Sequence, residues 1–200
     1  MLNWGGLCLA LVSAFQAPLL RAQSEIPAPP DPVGGVPTGL DPYNAMAEIF
    51  PIFVRYTKWP AERQPTAEKP LVIGVLGEDP FGDRLSKALS GQSFGAVPTI
   101  LRRYMDVASA AAECHVVFIG SASRAHLSEW LPVLSKKPIL TIGEDDAFLA
   151  QNGIIRFRTL ETRIVFEVNQ KAVEATGLSL KSELFVHASR VYGAPLENKP

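Results

Sequence analysis

Leu71 to Ser90, LVIGVLGEDPFGDRLSKALS, constrains the fold more than any other stretch of the chain. Leu71, Val72, Ile73, Val75 and Leu76 form a near-continuous apolar run, the pattern of a parallel strand buried on both faces. Such a strand needs cover on each side, and a helix follows at once. Asp79 is a good N-cap acceptor, and Pro80 suits the first helical position, where its missing N–H costs nothing. Phe81, Leu85, Ala88 and Leu89 then recur at helical spacing, so one helix face can lie on the strand. The stretch predicts a βα unit.

The same alternation continues downstream. Val97 to Tyr104 reads as a second strand, followed by a short Ala-rich helix capped by Asp106 and running through Ala112. His115 to Gly120 is a third, fully apolar strand; Ser123 then caps a helix whose buried face is Leu127, Trp130, Leu131 and Leu134, despite Pro132. Pro138 to Ile142 is a fourth strand, with a short helix begun by Asp145 or Asp146 after it. Ile154 to Thr159 and Arg163 to Val168 alternate with period two around a tight connection, which signals a hairpin. Helices over Gln170 to Thr176, closed by Gly177, and Lys181 to Tyr192 complete the domain. The expected architecture is a three-layer α/β fold over residues 41–192, with a mostly parallel sheet and an antiparallel edge hairpin.

Ahead of the strands, Asp41-Pro42 opens a helix with apolar positions Met46, Ile49, Phe50, Phe53 and Val54, ended by Trp59-Pro60. Pro51 lies inside it, where it removes a backbone bond, so a kink or a split into two helices is expected. Phe50 and Phe53 suit the cover of the sheet. Tyr56 and Trp59, flanked by Arg55 and Lys58 near the helix end, are the candidates for a surface contact with a partner.

The chain starts with a short apolar run, Leu7 to Phe15, too short for a permanent bilayer anchor and of the length of an export signal, with Ala22 as the best cleavage residue. A short buried helix is the competing reading, since no Lys or Arg precedes the run. Residues 23–40 hold five prolines and three glycines with almost no large apolar residue, and so read as a disordered tether; residues 193–200 read as a flexible tail. If the signal is removed, Cys8 leaves with it and Cys114 stays alone at the start of an apolar strand, where a small buried thiol is the common role.

Nineteen basic residues against twenty acidic ones leave no field to attract a polyanion, and no basic stripe is interleaved with aromatics; nucleic acid is not an expected partner. Sites in open α/β sheets lie outside the carboxyl ends of the strands. Here that rim comprises Gly77, Glu78 and Asp79, Gly120 and Ser121, and Gly143, Glu144 and Asp145. Gly74, Gly77 and Gly82 match neither a dinucleotide fingerprint nor a P-loop. Gly120-Ser121-Ala122-Ser123 lacks the second glycine of a nucleophile elbow, and none of His115, His126 and His187 is spaced as its base. The rim acids serve more naturally as helix caps than as paired catalytic carboxylates, and no metal-ligand spacing is present. No catalytic residue, cofactor or metal is expected.

Several segments taken together resemble the YfiR-like family of exported bacterial proteins: FVRYTKWP (Phe53 to Pro60), LVIGVLGEDPFG (Leu71 to Gly82), CHVVFIG (Cys114 to Gly120), PILTIG (Pro138 to Gly143), GIIRF (Gly153 to Phe157), RIVFEVN (Arg163 to Asn169) and Gly177-Leu178. They stand in family order and spacing over about residues 43 to 190. Three positions depart from the family pattern: Pro51 within the first helix, Asn152-Gly153 for a Gly-Gly pair, and Glu161-Thr162 where a glycine-containing turn is typical. The resemblance implies regulation and not catalysis. It points to a periplasmic repressor that holds an inner-membrane diguanylate cyclase or sensor protein inactive through its periplasmic domain. A homodimer is a separate candidate association that the resemblance does not imply. The rival function is a periplasmic solute-binding protein with its pocket on the strand-end rim. Export has a direct check: mass spectrometry of the chain recovered from the periplasm should find an amino terminus near Gln23, and an intact Met1 would refute cleavage.

Overall fold

In the computed structural model, which describes residues 36–37, 41–90, 92, 94 and 97–193, the predicted strand Leu71–Leu76 forms with all of its residues buried. Among the described residues it is the third of ten strands: β1 Val36–Pro37, β2 Thr57–Lys58, β3 Leu71–Leu76, β4 Thr99–Tyr104, β5 Val116–Ile119, β6 Leu140–Gly143, β7 Ile155–Leu160, β8 Arg163–Asn169, β9 Ser179–Leu180 and β10 Arg190–Tyr192. The helices are α1 Pro42–Tyr56, α2 Arg84–Ser90, α3 Val107–Glu113, α4 Leu127–Leu134, α5 Gln170–Ala175 and α6 Ser182–His187. The main sheet runs β1-β8-β7-β6-β5-β3-β4, with β10 also on β8, while β2 and β9 form a separate antiparallel ribbon. The strands from β4 to β7 are mutually parallel and β8 closes an antiparallel hairpin with β7, as the alternation pattern requires.

Burial on both faces divides the apolar residues by parity. On β3 and β5, Leu71, Ile73, Val75, Val116 and Phe118 face a core built with α1, α2, α5 and α6. Val72, Leu76, Val117 and Ile119 face a second core built with α3 and α4. These are the three layers. In the first core Phe53 meets Phe157 and Phe166 at ring-centroid distances of 5.4 and 4.9 Å, and Phe81 lies edge-on to Phe118 at 4.7 Å.

The helix boundaries follow local chemistry, with several shifts from expectation. Asp41 caps α1 by accepting the Tyr43 N–H at 2.9 Å with Pro42 in the first turn, and the helix runs its 15 residues as one element through Pro51. The expected split is absent because Pro51 is buried with Phe50 and Phe53, and the packed face holds the helix together where one backbone bond is missing. The end comes earlier than Trp59-Pro60. Thr57 and Lys58 turn extended to pair with Leu180 and Ser179, so α1 stops at Tyr56.

Beyond β3, Asp79 does accept the Phe81 N–H at 2.8 Å, but it closes a turn with Gly82 at φ +59°, and α2 begins only at Arg84. Ser123 caps no helix; Ser121–His126 is a 3-10 segment leading into α4. Asp145 opens a turn and not a helix, followed by the 3-10 turn Leu149–Gln151. Asp106 caps α3 and Gly177 follows α5 at φ +73°, both as expected. The last predicted helix is halved: α6 ends at His187, Ser189 donates to the Phe166 carbonyl at 2.8 Å, and Arg190–Tyr192 pairs parallel with β8. The outer edge of β8 supplies the reason, because an unpaired row of backbone groups there outcompetes continuation of an exposed helix. That edge also takes Val36–Pro37, expected to be disordered, in antiparallel register with Ile164 and Arg163. The expected signal segment over 1–22, the rest of the expected tether and residues 194–200 lie outside the described residues.

The two loop departures share a left-handed backbone, the conformation that glycine adopts most readily. Asn152 has φ +66° and Glu161 has φ +55°, so a left-handed residue is needed at both places; Asn tolerates it well, Glu less so.

Phe148 is held between two glycines. A Cβ on Gly143 would come within 2.4 Å of its ring and one on Gly153 within 2.2 Å. Gly143→Ala and Gly153→Ala should each destabilise the fold by about 1–3 kcal/mol through overpacking. Urea denaturation of Gly143→Ala alone and combined with Phe148→Leu checks the cause: the second substitution should recover part of the loss. Simple additivity would show that the ring is not the obstacle.

Candidate functional site

Most of the predicted strand-end rim assembles around Glu144. Its Oε1 accepts the Ser121 N–H at 2.7 Å and the Tyr43 hydroxyl at 3.2 Å, which ties the start of α1 to the ends of β5 and β6. Burial, then the adjacent Glu144 carboxylate, pushes the Tyr43 hydroxyl above its ordinary pKa, so it remains a donor at neutral pH. Glu78, Gly120, Ser121 and Glu144 line a hollow of about 240 Å³ together with Tyr43 and Pro80. Gly143 does not join them, being occupied with Phe148.

A larger cleft of about 500 Å³ opens on the other side of Glu78, lined also by Met105, Asp106, Ser123, Glu129 and Trp130. Gly77 lines it at φ +84°, and a Cβ there would come within 2.2 Å of the Ser123 hydroxyl. His126 stacks on Trp130 at 4.7 Å between ring centroids and 12° between planes. Sequence reasoning placed neither Tyr43 nor the Met105-Asp106 corner in the rim. Tyr43 carries no signal, but Met105-Asp106 directly follows the second predicted strand, and the strand-end rule applied to all four strands reaches it.

The arrangement contains no hydrolytic relay among the described residues. Ser121 uses its N–H on a carboxylate, His126 is stacked on Trp130, and His187 lies on α6. His115 is buried, with Nδ1 accepting the Val72 N–H at 3.1 Å. No group of three or more His, Cys, Asp or Glu among the described residues is placed to hold a metal ion, and no described helix is long and apolar enough to cross a membrane. Cys114 is fully buried, and burial pushes its thiol up to about 11, which keeps it protonated.

At the end of α1 the four candidate contact residues separate. Arg55 and Lys58 are exposed, and Arg55 donates to Gln92 at 2.9 Å. Tyr56 is half-buried, with the Lys181 ammonium 5.6 Å from its ring centroid. Trp59, expected at the surface, is only 8% exposed: its indole N–H donates to the His115 carbonyl at 3.3 Å and its ring stands edge-on to the imidazole. The β2 turn is the reason, since alternation along Thr57-Lys58-Trp59 directs Lys58 outward and Trp59 inward. Beside Arg55 and Trp59 a hollow of about 290 Å³ reaches Leu71 at the amino end of β3.

His115 makes this end of the sheet sensitive to acid. Burial, then the charge of Arg63, lowers its pKa from 6.5 to about 4. Between those values the unfolded chain takes up a proton that the folded chain refuses, so stability falls as pH drops through the window. Chemical denaturation between pH 7 and 4 should show a steeper loss for the wild type than for His115→Asn, whose amide oxygen can still accept from Val72. Equal slopes would remove His115 as the cause.

Comparison with known proteins bears on the fold and the family. No curated protein matches the chain. A crystal structure of a conserved domain protein from Vibrio cholerae O1 biovar El Tor superposes with a TM-score of 0.53 at 10% sequence identity, over 75% of this chain and 60% of that one, a likeness of fold. The chain thus spans less than two thirds of that protein's length. The model of the YfiR/HmsC-like family matches residues 43–189, from the first turn of α1 to the approach of β10, and the chain belongs to that family.

Proposed function

We propose that the chain is an exported regulatory binding protein that restrains an inner-membrane signalling protein, a diguanylate cyclase, by binding its periplasmic sensory domain. Membership of the YfiR/HmsC-like family across residues 43–189 is the observation that carries this reading. The hydrogen bonding of the rim supports it, because the polar side chains there brace elements of the fold and form no nucleophile–base pair among the described residues. Restraint of this kind requires only that the chain bind the inactive conformation of its partner more tightly than the active one. Export to the periplasm belongs to the same reading.

The contact surface we assign is the end of α1, with Tyr56 at its centre, Arg55 and Lys58 around it, and Trp59 beneath as support. Tyr56 is a half-buried aromatic with a cationic rim, the residue type in which binding energy concentrates. The test is the cyclic-di-GMP content of cells lacking the gene, complemented with the wild type or with variants. Loss of the gene should raise it and the wild type should restore it. Tyr56→Ala should fail to restore it while keeping its melting temperature, as expected for the loss of about 2 kcal/mol, roughly thirtyfold in affinity. Trp59→Ala should fail together with a lower melting temperature, as a core truncation does. Unchanged cyclic-di-GMP on deletion would overturn the function; full complementation by Tyr56→Ala would overturn the surface.

A further inference from the structure

We infer that the hollow between the end of α1 and the amino ends of β3 and β4 is a binding site for a small amphipathic monocarboxylate, a fatty-acid-like molecule with one carboxylate on an apolar body. The inference does not rest on the partner proposed above, although Arg55 and Trp59 border both sites.

The walls are apolar and come from separate parts of the chain. The last turn of α1 supplies Val54, the extended segment after it Trp59, the start of β3 Leu71, and the approach to β4 Phe94 and Val97. Val54, Trp59 and Leu71 belong to the first core, so the back of the hollow is a face of that core. Leu71 is fixed there, its N–H donating to the Pro98 carbonyl at 2.8 Å and its register set against Thr99. Phe94 and Val97 are half-buried and bridge to one another, and an apolar body in the hollow would take their remaining surface out of water. The volume of about 290 Å³ lies at the lower end of small-molecule sites, which restricts the occupant to a small body.

The charge of the lining is a single cation. Arg55 is its one charged residue, and no Asp or Glu contributes. Arg55 spends one N–H on the Gln92 amide oxygen at 2.9 Å and pairs with no carboxylate among the described residues. In contrast, Arg84, Arg102, Arg103, Arg124, Arg156 and Arg158 each pair with an acid. The remaining donors of the Arg55 guanidinium suit a carboxylate, which can accept two parallel hydrogen bonds from such a fork.

The other polar groups of the lining are mostly engaged. The Thr57 hydroxyl donates to the Phe53 carbonyl at 2.7 Å, and the Trp59 indole N–H donates to the His115 carbonyl. A carboxylate is therefore met by Arg55 and the exposed Gln64 at the mouth, while the body lies against apolar walls. An ammonium group on the same ligand would find no acid in the lining and would lose its hydration there. That separates a simple monocarboxylate from an amino acid.

Isothermal titration of the purified chain with octanoate, below the concentration at which it forms micelles, should give saturable binding. Octylamine, of equal length and opposite charge, and 2-aminooctanoate, which adds an ammonium group, should each bind about tenfold more weakly. Arg55→Gln should weaken octanoate about fivefold and leave uncharged octanol unaffected. Arg124→Gln, in the segment after the carboxyl end of β5, should change neither. In NMR spectra octanoate should shift the Trp59 indole resonance and not that of Trp130. Absence of saturable octanoate binding, equal binding of octylamine, octanoate binding indifferent to Arg55→Gln, or a shift at Trp130 in place of Trp59 would each overturn the assignment. None of these results bears on whether deletion of the gene raises cyclic-di-GMP, so this inference and the proposed function fail separately.

Discussion

Everything in this protein depends on β3 having no exposed face. A strand buried on both sides cannot be stabilised by one helical layer, and the parity of its side chains commits Leu71, Ile73 and Val75 to one core and Val72 and Leu76 to the other. β5 repeats that division and brings α1 and α2 to one face and α3 and α4 to the other. The rim where β3, β5 and β6 end is then walled by helices from both layers. Tyr43 reaches Glu144 from the first layer, and Trp130 closes the larger cleft from the second.

Helical cover runs out at the hairpin, and the chain solves that end differently. Ile155, Phe157, Ile164, Phe166 and Val168 still face the first core, but the opposite face carries Arg156 and Glu167. Glu167 is 1% exposed and accepts from Arg156 at 2.5 and 3.0 Å and from Arg158 at 3.0 Å; the Tyr192 hydroxyl lies 3.5 Å away, from β10. Burying a carboxylate is costly, and four donor groups from three residues offset that cost only in a fixed arrangement. The network ties β7, β8 and β10 together through one carboxylate. It also explains why Arg190–Tyr192 is a strand, since Tyr192 in a continued helix would not reach the carboxylate.

How far the fold could be read from the residues depended on whether the signal was local. Parallel strands announced themselves as apolar runs, the hairpin as a period of two, and the caps at Asp41 and Asp106 as single acceptors before helical spacing. Failures came where a distant strand decided the outcome. Nothing near Thr57 states that Ser179–Leu180 will pair with it, yet that pairing ends α1 early and turns Trp59 inward. Nothing near Val191 states that the edge of β8 is vacant. Most of the rim was legible because strand ends are local; Gly143 was misread for want of knowing that Phe148 folds back upon it, and the Met105-Asp106 corner was passed over although it follows the second predicted strand.

The two ends of the sheet are unequal in a way that bears on assembly. One margin is finished by short segments from both ends of the domain, with β1 and β10 dividing β8 between them. The other is β4, six residues long, with no further strand beside it among the described residues and with Arg102 and Arg103 held to Glu113 and Asp79. Among the described residues β4 is the one long unpaired margin, and two copies pairing antiparallel through it would use up both and be related by a twofold axis, so strand pairing by that route stops at two.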